Sequence, residues 1–400
     1  MSLTKNNLRT WIEIDSQIFK RNIEQLSQLL TPHTALGLVT KADAYGHGTH
    51  VIGRLSQETE QVSYLFTAGI AEAVRLRHGG VTKPIVVLAY ADDALEQLIM
   101  HQIVLVISDL HVARRLNTVA SRLQQSARVH IKIDTGMSRL GFKLEQLNGI
   151  LEELALLSYL DITGISTHLS DTHNSDYTFT YLQLELFDKA IALAEKFLQK
   201  KLFTHALASG SLHLIQRYQY DCVRIGSNAY GYWKSPLQKQ RLQSVLPSLT
   251  LTPVLTWKTT ILDIKTINQG DAVGYDRTFT APTTMKIAIL PIGYYDGYPR
   301  NLSHKAHVRI NGMAAPILGR VSMNLTIIDV SLLDNPQIGD EVALCGPFPK
   351  IDAHDLAKAA DSMYLEFLTR ICPRIPRVSI AQELMYDQAP HRAETDIQRI

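Results

Sequence analysis

The stretch VTKADAYGHGTH, Val39 to His50, closes an apolar run on a lysine, Lys41, with Tyr45 and two glycines just behind it. A cation at the mouth of a buried strand is costly, so burial favours its neutral amine. A neutral amine is a nucleophile that can bond covalently to an aldehyde carbon. Other reactive groups also stand at the ends of apolar runs. Lys132 and Arg139 lie in KIDTGMSRLGF, and His168 in STHLSD. Ser209-Gly210 lies in ALASG, and Arg224 and Gly226-Ser227 lie in VRIGSNAYG. Taken singly, each has an ordinary structural reading: strand-end lysines mostly pack, and Ser-Gly turns are common. Together on one rim they are hard to explain as packing, because buried charge is expensive without a partner.

The element pattern supplies such a rim. Eight apolar runs alternate with helix-period segments up to about residue 230: 35–41, 64–69, 84–90, 103–108, 128–136, 160–168, 203–209 and 221–226. Uninterrupted apolar runs suit parallel strands buried on both faces, and eight strand–helix alternations point to a (β/α)8 barrel. In such barrels the working residues stand at the C-terminal ends of the strands. A doubly wound open sheet is the competitor, but the glycine fingerprint expected after its first strand is missing: Gly46-His-Gly48 is followed by Thr49 to Ile52 before Gly53. After about residue 240 the pattern alternates with period two, as in LTLTPVLTWKTTILDIKTI, MKIAILPIGY, HVRING and EVALCG. That spacing reads as a mainly antiparallel β domain, with a late helical stretch in AHDLAKAADSMYLEFLTR. The expected organisation is an N-terminal strand in 1–14 joining the β domain, a barrel over 15–245, the β domain over 246–385 and a tail over 386–400.

Composition narrows the function classes. The 400 residues carry a formal net charge of only +2, and 46% of them are hydrophobic. Nucleic-acid and membrane-surface binding draw on clustered basic charge, so neither is expected. The polar start MSLTKNNLRTWIEID has no apolar signal core, and no apolar run reaches bilayer-spanning length, so a cytoplasmic location is expected. Cys222, Cys345 and Cys372 are far apart and read as buried reduced thiols. His47, His50, His173 and His213 show no metal-ligand spacing, and no metal is expected.

The rim constellation fits a pyridoxal phosphate site. Lys41 would carry the aldehyde, while Ser209 and the Gly226-Ser227 turn offer hydroxyl and N–H donors to a phosphate. Arg224 placed at the pyridine nitrogen would keep it unprotonated and weaken the ring as an electron sink, which favours proton transfer over transamination.

The motifs TKADAYGHG, KIDTGMSRLGF, STHLSD, VRIGSNAYG, VGYDRTF, PIGYYDGYPR and GRVSMN occur in this order and closely resemble the alanine racemases, from WIEID to PRIPR. The resemblance implies a homodimer of barrel and β-domain subunits with active sites at the dimer interface. It implies that Lys41 holds pyridoxal phosphate and serves as one base. Tyr275, in VGYDRTF, would be the opposite base, supplied by the other subunit, with His168 beside it and Arg224 behind His168. Arg139 resembles the residue on the cofactor's phenolic oxygen and the substrate carboxylate. Lys132 resembles a lysine carbamylated in some members. Tyr45, Ser209, Gly226 and Ser227 match phosphate contacts, Tyr294 and Arg300 residues at the substrate access, and Met323 a carboxylate contact from the partner. The implied activity is interconversion of L- and D-alanine, supplying D-alanine for the bacterial cell wall.

Three positions depart from the family pattern: Asn324 replaces a frequent aspartate, Pro373 a tyrosine and Ala208 an asparagine. They keep open a broader racemase acting on serine or larger side chains. A barrel-fold decarboxylase is disfavoured by Arg224, since decarboxylation benefits from a strong electron sink. A cofactor carrier is disfavoured by the β domain that bears Tyr275.

Overall fold

The computed structural model describes residues 8–172 and 174–381, so His173 and the expected tail over 386–400 lie outside the described residues. The first strand, β1 (Thr10–Asp15), runs directly into the helix Ser16–Ser27. Asp15 caps that helix, its carboxylate accepting from the backbone N–H groups of Gln17 and Ile18 at 2.9 Å each.

Eight parallel strands follow: β2 (Ala35–Val39), β3 (Val62–Gly69), β4 (Ile85–Tyr90), β5 (Val104–Ile107), β6 (Ala127–Lys132), β7 (Leu160–Ser166), β8 (Phe203–His205) and β9 (Cys222–Ile225). They pair in chain order, with β9 returning beside β2. The seam between β8 and β9 closes through a bridge between Ala208 and Arg224, where the Arg224 N–H donates to Leu207 O at 3.0 Å. This is the (β/α)8 barrel read from the apolar runs. Helices such as Ile70–His78, Leu110–Leu123 and Thr178–Leu198 cover its outside. Val39, Phe66, Val86, Val104, Val106 and Cys222 pack together as one buried cluster. Burial pushes the Cys222 thiol up to about 12, so it stays an unreactive thiol. Cys345 is likewise buried and Cys372 partly so, and all three are free.

The rest of the chain builds a second sheet. Its strands are β10 (Leu255–Thr260), β11 (Asp263–Ile267), β14 (Met285–Leu290), β15 (His307–Ile310), β16 (Met313–Leu318), β17 (Thr326–Asp329), β18 (Glu341–Cys345) and β19 (Arg377–Ile380). A separate hairpin pairs β12 (Ala272–Val273) with β13 (Phe279–Thr280). The order β11-β14-β17-β16-β15-β18-β10-β1-β19 takes in the N-terminal strand, and every pairing is antiparallel except β1 with β19.

The period-two run around residues 251–267 reads as one strand but forms two. The chain changes partners at Ile261–Leu262: β10 pairs with β1 and β18, whereas β11 pairs with β14. The late helical stretch is also split, into Ala353–Ala359 and Tyr364–Thr369. Between them Asp361 takes φ 55°, which a right-handed helix cannot accommodate.

Candidate active site

The first apolar run stops earlier than its sequence suggests. β2 ends at Val39, and Lys41 opens a turn instead of ending a strand. Ala42, Asp43, Ala44 and Tyr45 all lie in the left-handed region, with φ of 54°, 53°, 53° and 56°. For non-glycine residues this costs about 1–2 kcal/mol each, so the surroundings must enforce it. Glu72 does so from the next helix. Its carboxylate accepts from Ala42 N at 2.7 Å and from Ala68 N at 2.9 Å. The Asp43 carboxylate accepts from Thr49 N at 2.7 Å, and the buried Tyr230 hydroxyl donates to Val39 O at 2.8 Å. Arg377 of β19 donates to Gly46 O at 3.0 Å, tying the turn to the second sheet.

This turn forms one wall of a cavity of about 270 Å³ at the C-terminal rim of the barrel. Lys41 and Tyr45 line it from the β2 side. Lys132, Arg139 and His168 line it from the middle strands. Ala208, Ser209, Arg224, Gly226 and Ser227 line it from the last two. The rim convergence expected from the sequence is therefore present for all of these residues.

Lys41 is accessible through the cavity, yet its pKa is lowered, first by burial and then by Arg139, with Glu72 opposing the shift and Arg224 adding the least to it. Lys132 is driven well below the ordinary lysine value, first by burial and then by Arg224 and Arg139. Among the described residues neither amine has a hydrogen-bond or ion-pair partner. Asp134 holds the loop that carries Arg139, its carboxylate accepting from the N–H groups of Gly136, Met137 and Ser138 at 3.1, 3.0 and 3.0 Å.

Arg224 is the most heavily bonded side chain of the site. Its guanidinium donates to His205 Nδ1 and His205 O at 2.6 Å each, Thr167 O at 2.8 Å, Ala206 O at 3.0 Å and His168 Nδ1 at 3.2 Å. Burial lowers its pKa to about 10, which leaves it charged at neutral pH. Because guanidinium only donates, both imidazoles must accept at Nδ1 and carry their protons on Nε2. His205 Nε2 then donates to His130 Nδ1 at 2.9 Å. Burial and the neighbouring cations hold His168 well below the usual histidine range, so it is neutral.

Part of the cavity wall is a cradle of small groups. Ser209 Oγ accepts from Gly226 N at 2.9 Å. A Cβ on Gly226 would stand 2.5 Å from Tyr45 Oη, so only glycine allows the ring to lie this close to the turn.

Tyr275, Tyr294 and Met323 do not line this cavity, and they are 67%, 43% and 53% exposed. They gather around the loop that follows β16. Tyr275 lies between β12 and β13, and its neighbour Asp276 pairs with Arg320 at 2.7 Å. The loop after Arg320 carries Met323, whose carbonyl accepts from Tyr295 N at 3.0 Å. Arg300, Asn324 and Pro373 are also exposed and outside the cavity. Sequence reading missed Glu72, Lys234 and Leu365. The last two line the cavity, and Leu365 alone represents the β-domain half there. Glu72 could have been suspected only from its place in the first turn of the helix after β3.

The profile of the alanine racemase N-terminal domain matches residues 14–234, and that of the C-terminal domain matches residues 254–379. The chain belongs to the alanine racemase family. It is similar to the alanine racemase of Clostridium perfringens, at 38% identity over 376 residues, covering 92% of this chain and 94% of that one. It also resembles the alanine racemase of a Nostoc species, at 34% identity over 378 residues, covering 93% and 96%. Among solved structures, the alanine racemase of Clostridium difficile 630 superposes with a TM-score of 0.87 at 31% identity, covering 94% of this chain and 96% of that one. The alanine racemase of Bartonella henselae, solved with covalently bound pyridoxal phosphate, gives 0.77 at 27% identity, covering 93% and 99%. The alanine racemase family is pyridoxal phosphate-dependent, and this cavity fits the cofactor: a lysine of lowered pKa shares it with a hydroxyl-and-glycine cradle.

Proposed function

We propose that this chain interconverts L- and D-alanine with pyridoxal phosphate, as a homodimer whose active sites each draw residues from both subunits. The observation that carries the reading is the separation within one chain. Lys41 lines the cavity, while Tyr275 stands exposed on the β12–β13 hairpin, outside it, where a second copy's cavity could take it up.

When bound, the cofactor supplies an electron-withdrawing ring that acidifies the α-hydrogen of an amino acid attached to it. The chain's own groups do the rest. Lys41, its pKa lowered by burial and by Arg139, would hold the cofactor's carbonyl carbon until an amino acid takes its place there, which frees the amine to exchange a proton at the α-carbon on one face. Tyr275 of the partner subunit exchanges a proton on the opposite face. His168, neutral with its proton on Nε2, stands as the partner for that phenol, and Arg224 fixes its tautomer. Arg224 would meet the pyridine nitrogen of a bound cofactor, where a group that does not give up its proton would limit electron withdrawal to what racemisation needs. Arg139 holds the substrate carboxylate and the phenolic oxygen, with Met323 of the partner subunit beside the carboxylate and Tyr294 at the access. Tyr45, Ser209, Gly226 and Ser227 receive the phosphate. Lys132, unpaired between two arginines, suits carbamylation, which would turn it into an anion that orients Arg139.

In this reading the residues from 15 to about 245 form the cofactor domain and those from about 246 the β domain. The enzyme works in the bacterial cytoplasm to supply D-alanine for the cell wall. A broader specificity is the second reading, favoured by Pro373, which has neither the hydroxyl of the family's frequent tyrosine nor a backbone N–H.

A visible spectrum and a chiral assay on L-alanine, L-serine and L-lysine test the assignment. A cofactor band with fast conversion of alanine alone supports it. Comparable rates on serine or lysine support the broader reading. A band without racemisation contradicts both.

A further inference from the structure

One cavity residue has no part in the chemistry above. Lys234 follows the last barrel strand and reaches back over Ser209-Gly210. Its Nζ and Cδ lie 3.3 and 3.6 Å from the point where a Cβ on Gly210 would stand. Among the described residues no carboxylate, carbonyl or hydroxyl bonds to this amine. Other partly buried lysines are satisfied: Lys83 Nζ donates to Ser56 O at 2.8 Å and Thr59 O at 2.6 Å, and Lys258 pairs with Glu13 at 3.1 Å and Glu341 at 2.8 Å.

Lys234 is also set apart from the cations of the reacting end. Arg139 and Arg224 act on both Lys41 and Lys132, whereas burial is the only influence on Lys234. Its Nζ beside Gly210 puts the amine with the Ser209 turn. A buried amide joins the two. Gln238 is 3% exposed, and its Oε1 accepts from Lys234 N at 2.7 Å. Its Nε2 donates to Ser209 O at 2.6 Å and Asn228 Oδ1 at 2.9 Å. The lysine backbone and the Ser209 turn are therefore held as one unit.

We propose that Lys234 is the charged member of the phosphate subsite, adding a cation to a cradle otherwise made of hydroxyl and backbone donors. The subsite accepts a phosphate monoester dianion, and Lys234 meets it as a point charge over Gly210. Gly210 leaves room for this approach, since a Cβ there would also stand 2.6 Å from Thr172 Oγ1. The inference rests on the pyridoxal phosphate reading given above.

The test strips the purified enzyme of cofactor with hydroxylamine. It then titrates the parent, Lys234→Met and Lys234→Arg with pyridoxal phosphate and, separately, with unphosphorylated pyridoxal. Lys234→Met should bind pyridoxal phosphate about tenfold or more weakly. It should bind pyridoxal within about twofold of the parent, while Lys234→Arg stays near the parent for both ligands. The pyridoxal titration shows that the variant is folded, because a merely structural defect would weaken both ligands. Unchanged pyridoxal phosphate affinity in Lys234→Met overturns this inference and leaves the cofactor assignment standing. Failure of the parent to bind pyridoxal phosphate overturns both.

Discussion

Nη2 of Arg224 lies 3.2 Å from Nδ1 of His168, and this contact decides which imidazole nitrogen carries the proton. The same guanidinium fixes His205 at 2.6 Å, so one cation sets the tautomer of two buried rings. Arg224→Gln removes a donor that accepts nothing in return. His168 Nδ1 should then lose its fixed role, and the His168 pKa should rise toward the ordinary value, because Arg224 is its largest charge influence after burial. Stability should fall by at least about 2 kcal/mol as buried carbonyls lose their partner. Nitrogen-15 NMR of the imidazoles and urea unfolding read the two effects. An unchanged His168 titration would contradict the assigned lock.

The buried histidines also set an acid limit. Burial lowers His47 to about 4 and His130 to about 3. An unfolded chain takes up protons at these rings near pH 6.5, but the folded chain does not until far lower pH. The unfolded state therefore binds more protons through this window. Stability contributed by the neutral rings is complete above about 6.5 and is lost as pH falls toward about 4, by about 1.4 kcal/mol per pH unit for each ring. Urea midpoints between pH 7.5 and 4.5 should decline accordingly. A flat profile would show that these rings are not neutral in the fold.

Glu72 is the main restraint on the left-handed turn behind Lys41. Glu72→Ala leaves Ala42 N and Ala68 N without their acceptor and removes a negative neighbour that raises the Lys41 pKa. The expected result is a loss of about 2–3 kcal/mol in stability and a Lys41 pKa lower still, with Glu72→Gln milder because one oxygen remains. Denaturation and the pH dependence of the cofactor's visible band measure these. Parent-like behaviour of both variants would show that the turn is held elsewhere.

Gly226→Ala places a methyl where Tyr45 Oη already lies, 2.5 Å away. The ring or the turn must shift, so pyridoxal phosphate should dissociate about tenfold faster while the fold persists. Retention equal to the parent, followed by absorbance during dialysis, would remove this cradle from the cofactor site.

The barrel was legible because its strands are unbroken apolar runs, and the rim residues followed from where those runs end. Lys41 shows the limit. ALGLVTK reads as one strand, but the chain leaves it after Val39 and enters a turn whose residues Ala42 to Tyr45 are left-handed, which no propensity favours. Glu72, Tyr230 and Arg377, all distant in sequence, hold that turn. Lys234 escaped for a similar reason. It lies well past the end of β9, and its place over Gly210 depends on Gln238 and the buried network around it. Tyr275 stood out through its motif, yet nothing in its own chain's cavity uses it.

The central claim is that each site joins Lys41 of one subunit to Tyr275 of the other. The most direct test combines two inactive chains, Lys41→Ala and Tyr275→Phe, and assays racemisation of alanine. Mixed dimers would hold one site with both lesions and one site with neither. Equal random mixing should therefore restore about a quarter of the parental activity. Recovery near that level supports the shared site. Two chains that stay inactive after verified subunit exchange, or a Tyr275→Phe chain that racemises alanine like the parent, would contradict it.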